Sequence, residues 1–359
     1  MNYYYYKLLI KYNNLNNVIV LINNDKQLEK YLKDIKNDNI LGIDTEFRRI
    51  DSYSPELCLI QIASKSHLEC IDVLSIKNLE PLFDKLYDGK TLWVIHSARQ
   101  DIEALYCLSD RIPSMLFDTQ IGASFLNYPL QVSYQELTEK LQNVLLEKKF
   151  TRFDWRKRPL PKEVLQYALD DVKYLLPNYK ILKKELTSQG KLSWAEEDVL
   201  FLLNKETYAP NYRQILKKTK GVNKISHKSQ EKAFQLIHWR ESVAQQKNKP
   251  RKWIMPDELL ISYANGEKKL SESQNTLFEK FIKNSKFKVN PEEALTPQKP
   301  LSESEKLLKN QFKDKINLLS NKYTIPAELI CSSKNLIKLI KGDTNLSIKS
   351  GWRSELFEQ

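Results

Sequence analysis

Apolar positions in the first half of the chain switch repeatedly between two periods. Segments 17–23 and 40–47 carry strand-like runs, and between them 25–36 repeats its apolar residues at helical spacing behind an acidic start. Segments 57–63 and 67–73 are β-rich and joined by a short polar turn, which predicts a hairpin. A helix at 79–87, a buried strand at 91–96, an amphipathic helix at 98–108 and a strand at 115–119 follow, and the pattern is then helical to about residue 191. Alternation of this kind predicts an α/β domain with a mixed sheet over 17–192, preceded by an aromatic and polar extension at 1–16.

From Trp194 onward no strand signal appears. Helical periodicity marks 230–244, 256–262, 272–283 and 304–320, with shorter pieces at 326–330 and 334–340. Segment 286–302 is rich in proline and polar residues and reads as a linker. The second half is therefore expected to form two small all-α modules, 205–285 and 303–359.

Composition narrows the class. Hydrophobic residues at 41% and charged residues at 28% fit a globular protein, and no apolar run reaches the length of a membrane span. The start of the chain lacks the small-residue cleavage site of a signal peptide. Cys58, Cys70, Cys107 and Cys331 show no C-x-x-C spacing, so a reducing cytoplasm is expected and zinc is not. The net charge of +12 is uneven: 27 basic against 28 acidic residues in 1–204, and 30 against 17 in 205–359. That excess suggests a polyanionic partner. A solvated lysine-rich surface is the alternative.

Candidate chemistry centres on Ile43-Asp44-Thr45-Glu46-Phe47. Residues two apart on a strand share a face, so Asp44 and Glu46 address one site, and two neighbouring carboxylates call for a cation. Asp101 lies in the first turns of a helix after Trp93-Val94-Ile95-His96. Asp171 shares a helical face with Tyr167, four residues earlier, whereas Asp170 points elsewhere. An oxygen-rich set with few histidines suits Mg²⁺ or Mn²⁺. Taken singly, Asp101 could be a dipole-favoured helix residue and Tyr167 an ordinary core or surface tyrosine. The basic and aromatic stretch 148–158 suits a loop gripping a single strand through Lys148, Arg152, Trp155, Arg156 and Arg158, or else a solvated charge run around one buried tryptophan.

The three motifs Ile43–Phe47, His96-Ser97-Ala98-Arg99-Gln100-Asp101 and Tyr167-Ala168-Leu169-Asp170-Asp171 resemble those of the DEDD exonuclease superfamily, in its tyrosine subclass. Over 17–359 the chain resembles bacterial ribonuclease D, supported by Phe117-Asp118-Thr119-Gln120 and Asp154-Trp155-Arg156-Lys157-Arg158-Pro159-Leu160. The resemblance implies a ribonuclease H-like exonuclease domain in which Asp44, Glu46, Asp101 and Asp171 hold two divalent ions and Tyr167 positions the attacking water. His96 and Thr45 would support the site, and Asp118 would be structural. Segment 238–260, with His238-Trp239-Arg240, resembles an HRDC domain; Trp239 and Trp253 are expected as core anchors there. Segment 303–359, with Gly351-Trp352-Arg353, resembles the more divergent second such module.

The implied activity is 3′–5′ removal of nucleotides from RNA with release of 5′-monophosphates, on tRNA precursors and small structured RNAs with single-stranded 3′ tails. No membrane partner is expected, and a monomer is the default. Two other readings stay open: a 3′–5′ exonuclease acting on DNA, and a non-catalytic RNA-binding scaffold of the same fold. A helicase is excluded, because no G-x-x-x-x-G-K-[S/T] phosphate loop occurs.

Overall fold

Buried strands with helices on both faces organise the first half of the computed structural model, which describes residues 21–150, 152–284, 300–343 and 346–358. The extension 1–16, the strand start at 17–20 and most of the 286–302 linker lie outside the described residues. Contacts divide the chain into two units: Met1–Arg48, Leu57–Thr207 and Leu301–Gln359 in the first, Arg49–Glu56 and Tyr208–Pro300 in the second.

The first unit is built on six strands, β1 (Leu21–Ile22), β2 (Ile40–Arg48), β3 (Glu56–Ala63), β4 (Leu68–Asp72), β5 (Leu92–Ile95) and β6 (Met115–Asp118), in the order β1-β4-β3-β2-β5-β6. β3 and β4 form the expected antiparallel hairpin, with Ile60 opposite Ile71. β2, β5 and β6 run parallel, with Leu41 opposite Trp93 and Trp93 opposite Leu116. Parallel neighbours need crossovers, which helices supply here. The helices here are α1 (Asp25–Asp34), α2 (Glu80–Leu86) and α3 (Arg99–Ser109) between strands, and after β6 α4 (Thr119–Ser124), α5 (Tyr134–Gln142), α6 (Lys162–Lys173), α7 (Leu175–Ser188) and α8 (Leu192–Asp198). β3 is buried from Leu57 to Ala63, as expected of a strand covered on both faces. At Gly42 in β2 an added Cβ would come within 3.1 Å of the Leu175 Cβ, so the missing side chain lets α7 pack close to the strand that carries the carboxylates.

The second unit holds α9 (Tyr212–Lys218), α10 (Gln230–Gln246), α11 (Arg251–Ile254), α12 (Asp257–Ala264) and α13 (Glu272–Asn284). Trp239 on α10 is buried beside Phe278, but Trp253 on the one-turn α11 is 64% exposed. The expectation that Trp253 anchors a core is corrected. Its neighbour Met255 takes the buried position and accepts from the Arg240 guanidinium at 3.1 Å, which turns Trp253 outward. Within the same unit the loop Arg49–Glu56 is held by the Tyr53 hydroxyl donating to Glu241 (3.0 Å) and by Asn248 Oδ1 accepting from the Tyr53 and Ser54 amides, each at 3.1 Å.

Residues from Leu301 belong to the first unit. They form α14 (Glu303–Tyr323), α15 (Ala327–Ile330), α16 (Ser333–Ile340) and α17 (Gly351–Glu358). Trp352 stacks on Trp194 at 5.1 Å and meets Phe125 edge-on, while Arg353 forms a two-bond pair with Asp198 at 2.6 and 2.7 Å. The segment therefore shares one hydrophobic core with the sheet.

Candidate metal centre

β2 delivers the first two carboxylates. Period-two geometry puts Asp44 and Glu46 on one face, with Thr45 between them on the other. Asp171 arrives from α6, which packs on β2. Ligand oxygens of Asp44, Glu46 and Asp171 all lie within 4.8 Å of one another. Asp101, from α3, stands just outside that triad and is tied to β2 by Thr45, whose hydroxyl donates to Asp101 Oδ1 at 2.6 Å. Both partners of this bond are buried.

Such crowding is electrostatically costly. Burial, then the charges of Asp101, Asp171 and Glu46, hold Asp44 well above the ordinary carboxylate range, and burial with Asp171 and Asp101 does the same to Glu46. Burial pushes both Asp101 and Asp171 up to about 7. All four shifts share a direction: this pocket of oxygens lacks positive charge. An oxygen-only donor set that is half-buried and mutually repelling fits a divalent cation.

Tyr167 lies one turn before Asp171, and its hydroxyl donates to the Asp171 carboxylate. Burial and the surrounding acids raise its pKa far above 10, so it stays protonated at neutral pH. The Phe150 ring stands edge-on to Tyr167 at 5.8 Å and restricts its swing. The segment 148–158 gave no sequence signal for that packing beyond its aromatic content.

Asp118 does more than occupy a strand end. Its carboxylate accepts from the amides of Ser97 (3.0 Å) and Ala98 (2.8 Å) at the start of α3, and from Gln120 (2.8 Å) and Ile121 (3.3 Å) at the start of α4. One side chain thus caps two helices, one of which carries Asp101. An Asp followed by Thr-Gln after a strand is a readable N-cap, but its second set of donors, twenty residues upstream, is not. Ser97 adopts a left-handed φ of 62°, which lets successive amides face the same carboxylate. His96 engages both ring nitrogens, Nδ1 with Thr119 Oγ1 and Nε2 with the Val132 carbonyl, each at 2.9 Å. Burial lowers its pKa, and with no free nitrogen it braces β5 against the segment around Val132.

Two of the expected strand contacts are corrected. Trp155 is 4% exposed in a core with Cys58, Leu59 and Leu165, so no base can stack on it. Arg158 is committed to Asp72, at 2.7 and 2.5 Å, and to the Cys58 carbonyl at 3.0 Å; it fixes the loop to the hairpin rather than meeting phosphate. Lys148, Arg152 and Arg156 are exposed. Arg156 lies beside Asp154 at 3.4 Å, and the Lys148 charge lowers the pKa of Asp171, placing that lysine within electrostatic reach of the carboxylates.

A 3′–5′ exonuclease domain family matches residues 19–187. The chain is 35% identical to the ribonuclease D of Bartonella henselae, over 96% of this chain and 89% of that one. It is 32% identical to the ribonuclease D of Desulfotalea psychrophila, over 94% and 96%. Among solved structures it is similar to Escherichia coli RNase D, described as an exoribonuclease involved in structured RNA processing, with 26% identity, a TM-score of 0.79 and coverage of 95% and 96%. No described helix is long and apolar enough to cross a membrane.

Proposed function

This chain belongs to the ribonuclease D family of 3′–5′ exoribonucleases, and we propose that it trims the single-stranded 3′ tails of tRNA precursors and other small structured RNAs, with Asp44, Glu46, Asp101 and Asp171 as the acids of its reaction centre. The observation that carries the assignment of the site is the convergence of three carboxylates within 4.8 Å, with the Tyr167 hydroxyl on one of them. These acids would hold two divalent ions, Mg²⁺ or Mn²⁺, which when bound supply water activation and charge stabilisation at the phosphodiester.

The remaining roles fall to the chain itself. Tyr167, whose hydroxyl donates to Asp171, orients the attacking water from beside that carboxylate. Thr45 fixes the rotamer of Asp101, and Asp118 fixes the helix that bears it. Lys148 offsets part of the acidic field that an incoming phosphate meets. Hydrolysis joins a water oxygen to phosphorus and breaks its bond to the 3′ oxygen of the preceding nucleotide, releasing a 5′-monophosphate. Cysteines without metal-ligand spacing fit work in the reducing cytoplasm.

Digestion of a 3′-extended tRNA and of matched RNA and DNA oligonucleotides with Mn²⁺ or Mg²⁺ tests this. Stepwise shortening of the RNA is expected, with Asp171→Asn slower by on the order of 10²–10³-fold. Equal trimming of the DNA would overturn the substrate class. Intact RNA that the protein nonetheless binds would favour a scaffold.

A further inference from the structure

We infer that Trp253, on the helical unit, is a stacking platform for a base of single-stranded RNA, flanked by lysines that take the backbone. The inference rests on the reading that the chain acts on RNA and adds a subsite remote in sequence from the carboxylates.

The surface around this ring is built. The turn Arg251–Ile254 is pinned on both sides: Arg251 Nε lies 3.2 Å from the fully buried Glu241 carboxylate, and the Met255 carbonyl accepts from the buried Arg240, which also donates to Asp257 at 2.8 Å. An exposed indole on a loose loop would be unremarkable, but here buried ionic contacts hold the turn that presents it. A flat ring held in water at a fixed position can accept a stacked base with little ordering cost.

Charge says what the surface binds. Lys249 Nζ lies 5.8 Å from the centre of the Trp253 ring, and Lys247 and Lys252 are exposed close by in the chain. Residues 208–300 contain 19 basic and 9 acidic residues, a net of +10, whereas 301–359 contain 10 and 7, a net of +3. The basic excess of the second half therefore belongs largely to the unit that carries Trp253. An aromatic face beside mobile ammonium groups is the chemistry that holds a single strand without reading its sequence, by base stacking and phosphate contact together.

Fluorescence anisotropy with 5′-labelled oligoadenylate, in EDTA so that nothing is cleaved, tests the site in the full-length protein. Trp253→Ala is expected to weaken binding roughly 5- to 150-fold, the range for losing one stacked base, while Trp253→Phe keeps most of the affinity and Trp253→Leu does not. A backbone-only oligomer lacking bases should bind wild type and Trp253→Ala alike. In a KCl titration Lys249→Gln should lower the magnitude of the log–log slope by about 0.7, and Trp253→Ala should leave it unchanged. Melting temperatures of the variants should match wild type, because the ring is exposed.

Affinity of Trp253→Ala within twofold of wild type would overturn the proposal. Equal rescue by Leu and Phe would overturn it too, since stacking needs a π face. In either case, continued trimming of 3′ tails by wild type would leave the ribonuclease reading standing, so the two failures are distinguishable.

Discussion

Thr45→Val is the sharpest probe of how the fourth acid is held. Valine matches threonine in shape, so the substitution removes one hydroxyl from a buried 2.6 Å bond to Asp101 and little else. A hydrogen bond to a charged group contributes about 1.5–3 kcal/mol. If that energy orients Asp101 in the reacting state, kcat falls by roughly 10- to 150-fold, at about 1.4 kcal/mol per decade. The pH profile supplies the second signature. In the metal-free protein the Thr45 hydroxyl holds the Asp101 pKa down against burial, so its loss raises that pKa, lets protons compete better with the metal for the carboxylate, and displaces the acid limb of the activity profile towards alkaline pH. Single-turnover trimming of a 3′-tailed RNA, followed from pH 6 to 9 for wild type, Thr45→Val and Thr45→Ser, measures both effects; serine should restore the bond. A valine variant within twofold of wild type across that range would refute the positioning role.

Other expectations follow from single contacts. Asp118→Asn should cost about 2–4 kcal/mol, because it removes the negative charge that four backbone amides share and turns a donor towards one of them, Ala98; the melting temperature should drop by roughly 4–16 °C and activity should fall with it. Asp198→Ala leaves Arg353 and the Trp352 indole without their acceptor and should cost about 3 kcal/mol, seen as a fall in melting temperature of roughly 6–12 °C. His238, stacked on Tyr212 at 3.5 Å, has its pKa lowered by burial to about 4. Its folded-state pKa is below the unfolded value of 6.5, so the unfolded chain takes up the proton first and stability is lost as pH falls from 6.5 towards 4; His238→Phe should flatten that stretch of a melting-temperature profile. The four raised carboxylate pKa values act oppositely, with metal-free stability present at acid pH and lost as pH rises, through about 7 for Asp101 and Asp171. Mn²⁺ should therefore raise the wild-type melting temperature more at pH 8 than at pH 5, and EDTA should reverse it; equal gains in Asp44→Asn would refute the site.

The legible parts of this fold are those set by local period. The strand carrying Asp44 and Glu46 stands out because its apolar run is long and its acids are two apart, and Tyr167 and Asp171 because they are four apart on a continuous helix. What escaped depends on contacts distant in sequence. Thr45 reaches Asp101 across 56 residues and Arg158 reaches Asp72 across 86. In the second case an arginine beside the third motif looks like a phosphate ligand until its partner is seen. Trp155 and Trp253 show the same blindness with opposite outcomes. Both sit in short basic stretches, yet one is buried under the hairpin and the other faces solvent, because burial is decided by what packs above the ring. The helices α9 and α11, at seven and four residues, are too short to display a period at all.

The two halves of the electrostatic problem are solved on different residues. A site that gathers four acids repels the phosphate it must cut, and the first 204 residues, at a net −1, offer little long-range attraction. Bound cations offset that repulsion but leave no strong attraction, and salt screens what remains beyond about 8–10 Å. Long-range capture needs a separate basic surface, and the sequence supplies it at 208–300 rather than throughout the helical half. The C-terminal segment from Leu301 instead contributes Trp352, Arg353 and Leu356 to the core of the catalytic unit, a structural duty that needs apolar surface and paired charges, not free lysines. Similar helical patterns thus diverge in role according to what they bury. The segment whose tryptophan stacks on Trp194 sustains the fold, and the one whose tryptophan stays bare is free to meet RNA.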